Sequence, residues 1–150
     1  MTQIGINLIP FKSYQGIEVF AENVLGRIFL LAPHIQFTIF ATQSLPKSLL
    51  IEGKNVNRVI TSSRFSKPLY SAFYQHVWLP VLCKIRKIDI LFAPSPTAPF
   101  FYRNKVVTLH DCAYDRFPEA RSLLARIYVW LMYRGAKYFA KHIVTVSQFS

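Results

Sequence analysis

The run Lys105-Val-Val-Thr-Leu-His110-Asp111 delivers an imidazole and a carboxylate at the point where an apolar segment of strand length ends. Open α/β sheets bind their ligands at the carboxyl ends of strands. An imidazole there can hydrogen-bond a substrate hydroxyl or a phosphate oxygen and changes protonation near neutral pH, and Asp111 is placed to orient it. A buried histidine satisfied by backbone would have the same sequence signature. A second run, Lys141-His-Ile-Val-Thr-Val-Ser147-Gln-Phe-Ser150, repeats the pattern. Its Ser147 and Ser150 offer hydroxyls and N–H groups to a phosphate, or Ser147 equally caps a following helix. Gly16 closes the first strand-to-helix turn, where a missing side chain lets a ligand approach the backbone, or where glycine serves the turn alone. Glu18, in the first helical turn, complements the helix dipole. Arg116, Glu119 and Arg121 follow the His-Asp pair on the crevice side, whereas Arg103 and Lys105 flank the strand's start on the opposite edge and read as surface charge.

The elements that would position these groups alternate along the chain. Gln3 to Ile9 reads as a buried strand closed by Pro10, and Ile17 to Leu31 then repeats apolar residues at helical spacing until Pro33. Strands are expected at Gln36–Ala41 and Val56–Thr61. A long helical segment follows from Leu69 to Lys87, with a kink or break at its internal Pro80. Ile88–Ala93 is the next strand, ending in the stiff loop Pro94-Ser-Pro-Thr-Ala-Pro99; Val106–Leu109, a helix from about Ser122 to Ala140, and Ile143–Val146 complete the series. Apolar strands alternating with helices predict an α/β fold with a doubly wound, parallel sheet.

Composition narrows the partners. Apolar residues make up 52% of the 150, enough for a substantial core in one domain of common size. Eighteen Lys and Arg against seven Asp and Glu give a formal charge of +11, which favours anionic partners. The cations form no like-charge tail and no nucleic-acid reading motif accompanies them, so a nucleic-acid partner is not expected. Aromatics are 15% of the chain and often adjoin cations, as in Phe100-Phe101-Tyr102-Arg103. That pairing suits an anionic membrane surface, although aromatics in the core with cations outside would give the same composition. No apolar run is long enough for a transmembrane helix and no export signal is visible. Cys83 and Cys112 suggest neither a disulfide framework nor a zinc site, and a cytoplasmic setting is the default. Three spaced glycines are missing around Gly16, which argues against a dinucleotide cofactor.

Taken together, Gln15-Gly16-Ile17-Glu18, Asp89-Ile90-Leu91-Phe92-Ala93-Pro94, Val107-Thr108-Leu109-His110-Asp111, Phe117-Pro118-Glu119 and Ile143-Val144-Thr145-Val146-Ser147-Gln148-Phe149-Ser150 resemble the N-terminal domain of family 4 glycosyltransferases. The resemblance spans nearly the whole chain; its most specific parts are the Thr-x-His-Asp strand end and the Thr-Val-Ser-x-Phe-Ser close. It implies that residues 1–150 are the Rossmann-like, acceptor-side half of a GT-B fold, and that the chain is the front part of a longer, retaining hexosyltransferase. It implies no obligatory metal or cofactor, a nucleotide sugar as donor, and a polysaccharide or glycolipid (lipid-linked) acceptor handled on the cytoplasmic face, peripheral to the plasma membrane. By motif, His110 with Asp111 would contact the transferred sugar as the catalytic pair, Gly16 and Ser147 would lie at the donor phosphate, and Arg116 and Glu119 would serve the acceptor. Two departures stand out. Gln15 occupies a position where the family often has a second glycine, and the paired-glutamate motif and diphosphate-clamping cations of the family's C-terminal half are not in this sequence. Without such cations the departing diphosphate is not stabilised, so residues 1–150 alone are expected to be inactive. The alternative is a non-enzymatic nucleotide- or anion-binding α/β module, or one chain of a split transferase.

Overall fold

β-Branched and aromatic residues dominate the strand-length runs, and in the computed structural model, which describes residues 2–9, 18–50, 52–110 and 123–146, these runs pair in parallel. The strands are β1 (Gln3–Asn7), β2 (Gln36–Thr42), β3 (Val56–Thr61), β4 (Ile90–Ala93), β5 (Lys105–Leu109) and β6 (His142–Thr145). They form one six-stranded sheet in the order β3-β2-β1-β4-β5-β6. The registers include Ile6 opposite both Ile39 and Phe92, and Thr108 opposite Val144. Helix α1 (Glu18–Leu31) links β1 to β2, a helical rod made of α2 (Pro68–Phe73), a wide turn (Tyr74–Trp78) and α3 (Leu79–Ile85) links β3 to β4, and α4 (Leu123–Phe139) links β5 to β6. The sheet is thus the doubly wound, Rossmann-like one expected from the alternation.

Side chains alternate across each strand, so both faces must be covered. On one face Ile6, Leu8, Phe37 and Ile39 meet Ala21, Leu25 and Phe29 of α1. On the other, Phe40 and Leu91 meet Tyr74, Leu79 and Cys83 of the rod, and Ala93 and Val107 meet Ala136 of α4. Each such fully buried large apolar side chain contributes about 1.5–3 kcal/mol. Gly5 has no room for a side chain: a Cβ would lie 3.0 Å from both Ile88 and Phe40.

Pro80 does not break the rod. A proline lacks the N–H that would bond four residues back, and its ring clashes with that carbonyl. The chain accommodates both by widening the turn just before it, over Tyr74–Trp78, and then continuing as α3. Helix α3 ends with Lys87 in the left-handed region at φ 53°, where the Ile88 N–H reaches back to the Cys83 carbonyl at 2.8 Å. This closure delays β4, which begins at Ile90 rather than at Ile88.

Lys105 corrects the surface-charge reading: it is 1% exposed. It shares the α4-side face with Val107, two residues on, and its Nζ donates to the Pro99 carbonyl at 2.5 Å and the Phe100 carbonyl at 2.8 Å. It thereby clamps the segment that crosses the sheet between β4 and β5, and burial lowers its pKa to about 8. Arg103 is exposed, as expected. The same segment is held from above by α4, where Gly135 lets the Phe100 ring approach so closely that a Cβ would lie 2.7 Å from it. Cys83 is buried and its thiol is pushed up to about 12 by desolvation, consistent with an inert thiol.

Candidate functional site: the carboxyl edge at the switch point

In this strand order the chain leaves β1 toward one side and β4 toward the other, which opens a crevice at their carboxyl ends. His110 follows β5, the next strand over. Its Nε2–H donates to the Pro94 carbonyl, at 2.7 Å, so the ring leans from β5 onto the loop that leaves β4. A carbonyl can only accept, which assigns the proton to Nε2. Phe20 of α1 meets the imidazole edge to face, with centroids 5.0 Å apart and planes at 87°. The ring is half-buried and lies on the side of the sheet where α1 begins. Helix N-termini attract anions, and the first turn of α1 lies at this edge. Glu18 does more there than complement the dipole, since its carboxylate accepts a hydrogen bond from the Ser48 hydroxyl.

The opposite side of the crevice is built from two buried amides that sequence reasoning missed. Asn7 ends β1 at 2% exposure; its Nδ2 donates to Gln75 Oε1 and to the Thr97 carbonyl, both at 3.1 Å, and its Oδ1 accepts from the Ile9 N–H at 3.2 Å. Gln75, inside the widened turn, donates from Nε2 to Ser71 Oγ at 3.0 Å and to the Ile9 carbonyl at 3.4 Å. Both amides are therefore saturated by protein partners, and a saturated buried network rigidifies what it joins. It ties the exit of β1, the rod and the loop after β4 into one frame. The available signal was a polar residue in each of two otherwise apolar runs.

His76 was likewise overlooked. Its Nδ1 accepts the Phe100 N–H at 3.2 Å and its Nε2 lies 3.3 Å from the Tyr128 hydroxyl of α4. Burial, and secondarily the charge of Lys105, lower its pKa, which keeps the ring neutral as the accepting Nδ1 requires.

Of the residues singled out from sequence, His110 is placed at the carboxyl edge; Gly16, Asp111, Arg116, Glu119, Arg121, Ser147 and Ser150 lie outside the described residues, as does Cys112. On His110's face of β5, Thr108 Oγ1 is buried with no hydrogen-bond partner among the described residues. Among those residues no three His, Cys, Asp or Glu side chains come together as a metal site, and no helix is long and apolar enough to cross a membrane. The arrangement can present an imidazole of fixed tautomer, beside a helix start, to a ligand lying across the sheet's edge. Comparison with protein-family models, curated proteins and solved structures finds no match to this chain.

Proposed function

We propose that the chain is the acceptor-side domain of a nucleotide-sugar-dependent glycosyltransferase that extends a polysaccharide or a lipid-linked glycan. The observation that carries the reading is the position of His110: a strand-end imidazole, held through Nε2–H on Pro94, beside the switch point and the start of α1. An imidazole so fixed suits a hydrogen bond to a hydroxyl of the transferred sugar. Asp111 would complete that pair, Gly16 and Ser147 would meet the donor phosphate, and Arg116 and Glu119 the acceptor. A second domain would supply the charges that stabilise the departing nucleoside diphosphate.

The test is sugar transfer by the protein translated from the complete reading frame containing these residues, assayed with a panel of nucleotide sugars. His110→Ala is expected to lower kcat/KM by about 100-fold or more while the domain stays folded by circular dichroism, the scale of a lost positioned acid–base or polar contact. Near-normal turnover in that variant, or no transfer with any donor, would overturn the reading.

A further inference from the structure

The face of the sheet opposite α1 is apolar outside as well as inside. Along the rod, Leu69, Phe73, Val77, Val81 and Ile85 recur every fourth residue and all are exposed. On α4, Leu123, Ile127, Trp130 and Leu131 form a second exposed row. A helix normally buries one apolar stripe and solvates the other, but these helices bury one stripe on the sheet and leave another in water. Between them lies an open groove of about 600 Å³ lined by Pro80, Phe100, Phe101, Tyr128, Leu131 and Met132. Its floor is the segment that Lys105 clamps.

Charge on this face has one sign. Neither the rod nor α4 contains an Asp or Glu, while Lys84, Arg86 and Lys87 end the rod and Lys137 and Lys141 close α4, all exposed and all at the amino edge of the sheet, with Asp89 the one nearby acid in that stretch. Arg134 lies 4.2 Å over the Trp130 ring and Lys137 is 5.6 Å from the Tyr138 ring, so cations and aromatics are paired along α4. Amphipathic helices that lie in a lipid interface show this combination of apolar stripe, interfacial aromatics and basic flank. A second copy of the chain would bring its own net charge of +11 against these cations, which disfavours self-association through this face.

We infer that this face docks on an anionic lipid monolayer, with the amino-edge cations at the headgroups and the groove receiving an acyl chain. The inference does not depend on the sugar-transfer reading. It has a built-in reporter, because both tryptophans of the chain, Trp78 at 49% and Trp130 at 51% exposure, sit on these two helices. With phosphatidylglycerol vesicles at low salt, tryptophan emission should shift to the blue and be quenched by brominated phosphatidylglycerol, whereas phosphatidylcholine vesicles should have little effect. Lys84→Gln with Lys137→Gln should weaken partitioning roughly 30-fold, from two headgroup contacts. Phe73→Ser should weaken it further; all three positions are exposed, and unchanged circular dichroism confirms folding. The inference is overturned by an absence of binding, by binding that leaves the tryptophans unperturbed, by partitioning indifferent to these substitutions, or by a lipid-free dimer in light scattering that already buries both indoles.

Discussion

Lys105 offers a quantitative check on the segment that joins β4 to β5. Its ammonium is buried against two carbonyls, and its pKa falls from 10.5 to about 8 because burial disfavours the charged form. The unfolded chain therefore holds more protons than the folded one between these values, so stability rises with pH across that window. Equivalently, the stabilisation is complete above about 10.5 and is lost as pH falls through about 8. From the two values, raising pH from 7 to 8.5 should add on the order of 1 kcal/mol. Cys83, pushed up from 9.0 to about 12, acts in the opposite sense once pH exceeds 9, so the range stops short of it. The assay is urea unfolding at several pH values for the wild type and for Lys105→Met, which keeps the chain's length and removes the charge. The difference between the two proteins should grow by that amount in favour of the wild type, whatever the other groups do. Parallel pH dependences would show that the ammonium is solvated in the folded state and that the crossing segment is not clamped as described.

Two substitutions test the close approaches that frame this region. Gly135→Ala should destabilise by about 1–3 kcal/mol, because its methyl would sit 2.7 Å from the Phe100 ring, and thermal unfolding measures this directly. Lys87→Gly should stabilise by about 1 kcal/mol by relieving the left-handed backbone that ends α3, seen as a raised urea midpoint at constant slope.

Period and punctuation made most of the sheet legible: Val56–Thr61 matches the observed strand end to end, and the spacing from Ile17 to Leu31 marks α1 to within a residue. Local pattern could not show how the chain accommodates Pro80, because the widened turn is also held by contacts with distant strands, Tyr74 against Phe40 and Gln75 against Asn7. Lys105 was misread for a related reason. A lysine at a strand start is usually solvated, and only the path of the Pro99–Phe100 backbone over it turns it inward. His110 was visible because type and strand-end position coincide in sequence, whereas Asn7, Gln75 and His76 become a group only when β1, the rod and the loop after β4 meet. The basic-aromatic composition fitted an anionic surface and a solvated cationic shell equally, and which helices leave apolar rows exposed beside cations is set only by the fold.

The most direct measurement of the central claim is the imidazole spectrum of His110 by nitrogen-15 NMR in the protein translated from the complete reading frame, assigned through His110→Gln. Three other histidines serve as references: His34 and His142 at the amino edge and His76 beneath α4. His110 is expected to show the Nε2–H tautomer in the free protein, and its signals to shift on adding the cognate nucleotide sugar while those of His34 and His142 stay in place. The other tautomer, or a saturating sugar that leaves His110 unmoved, would contradict that claim.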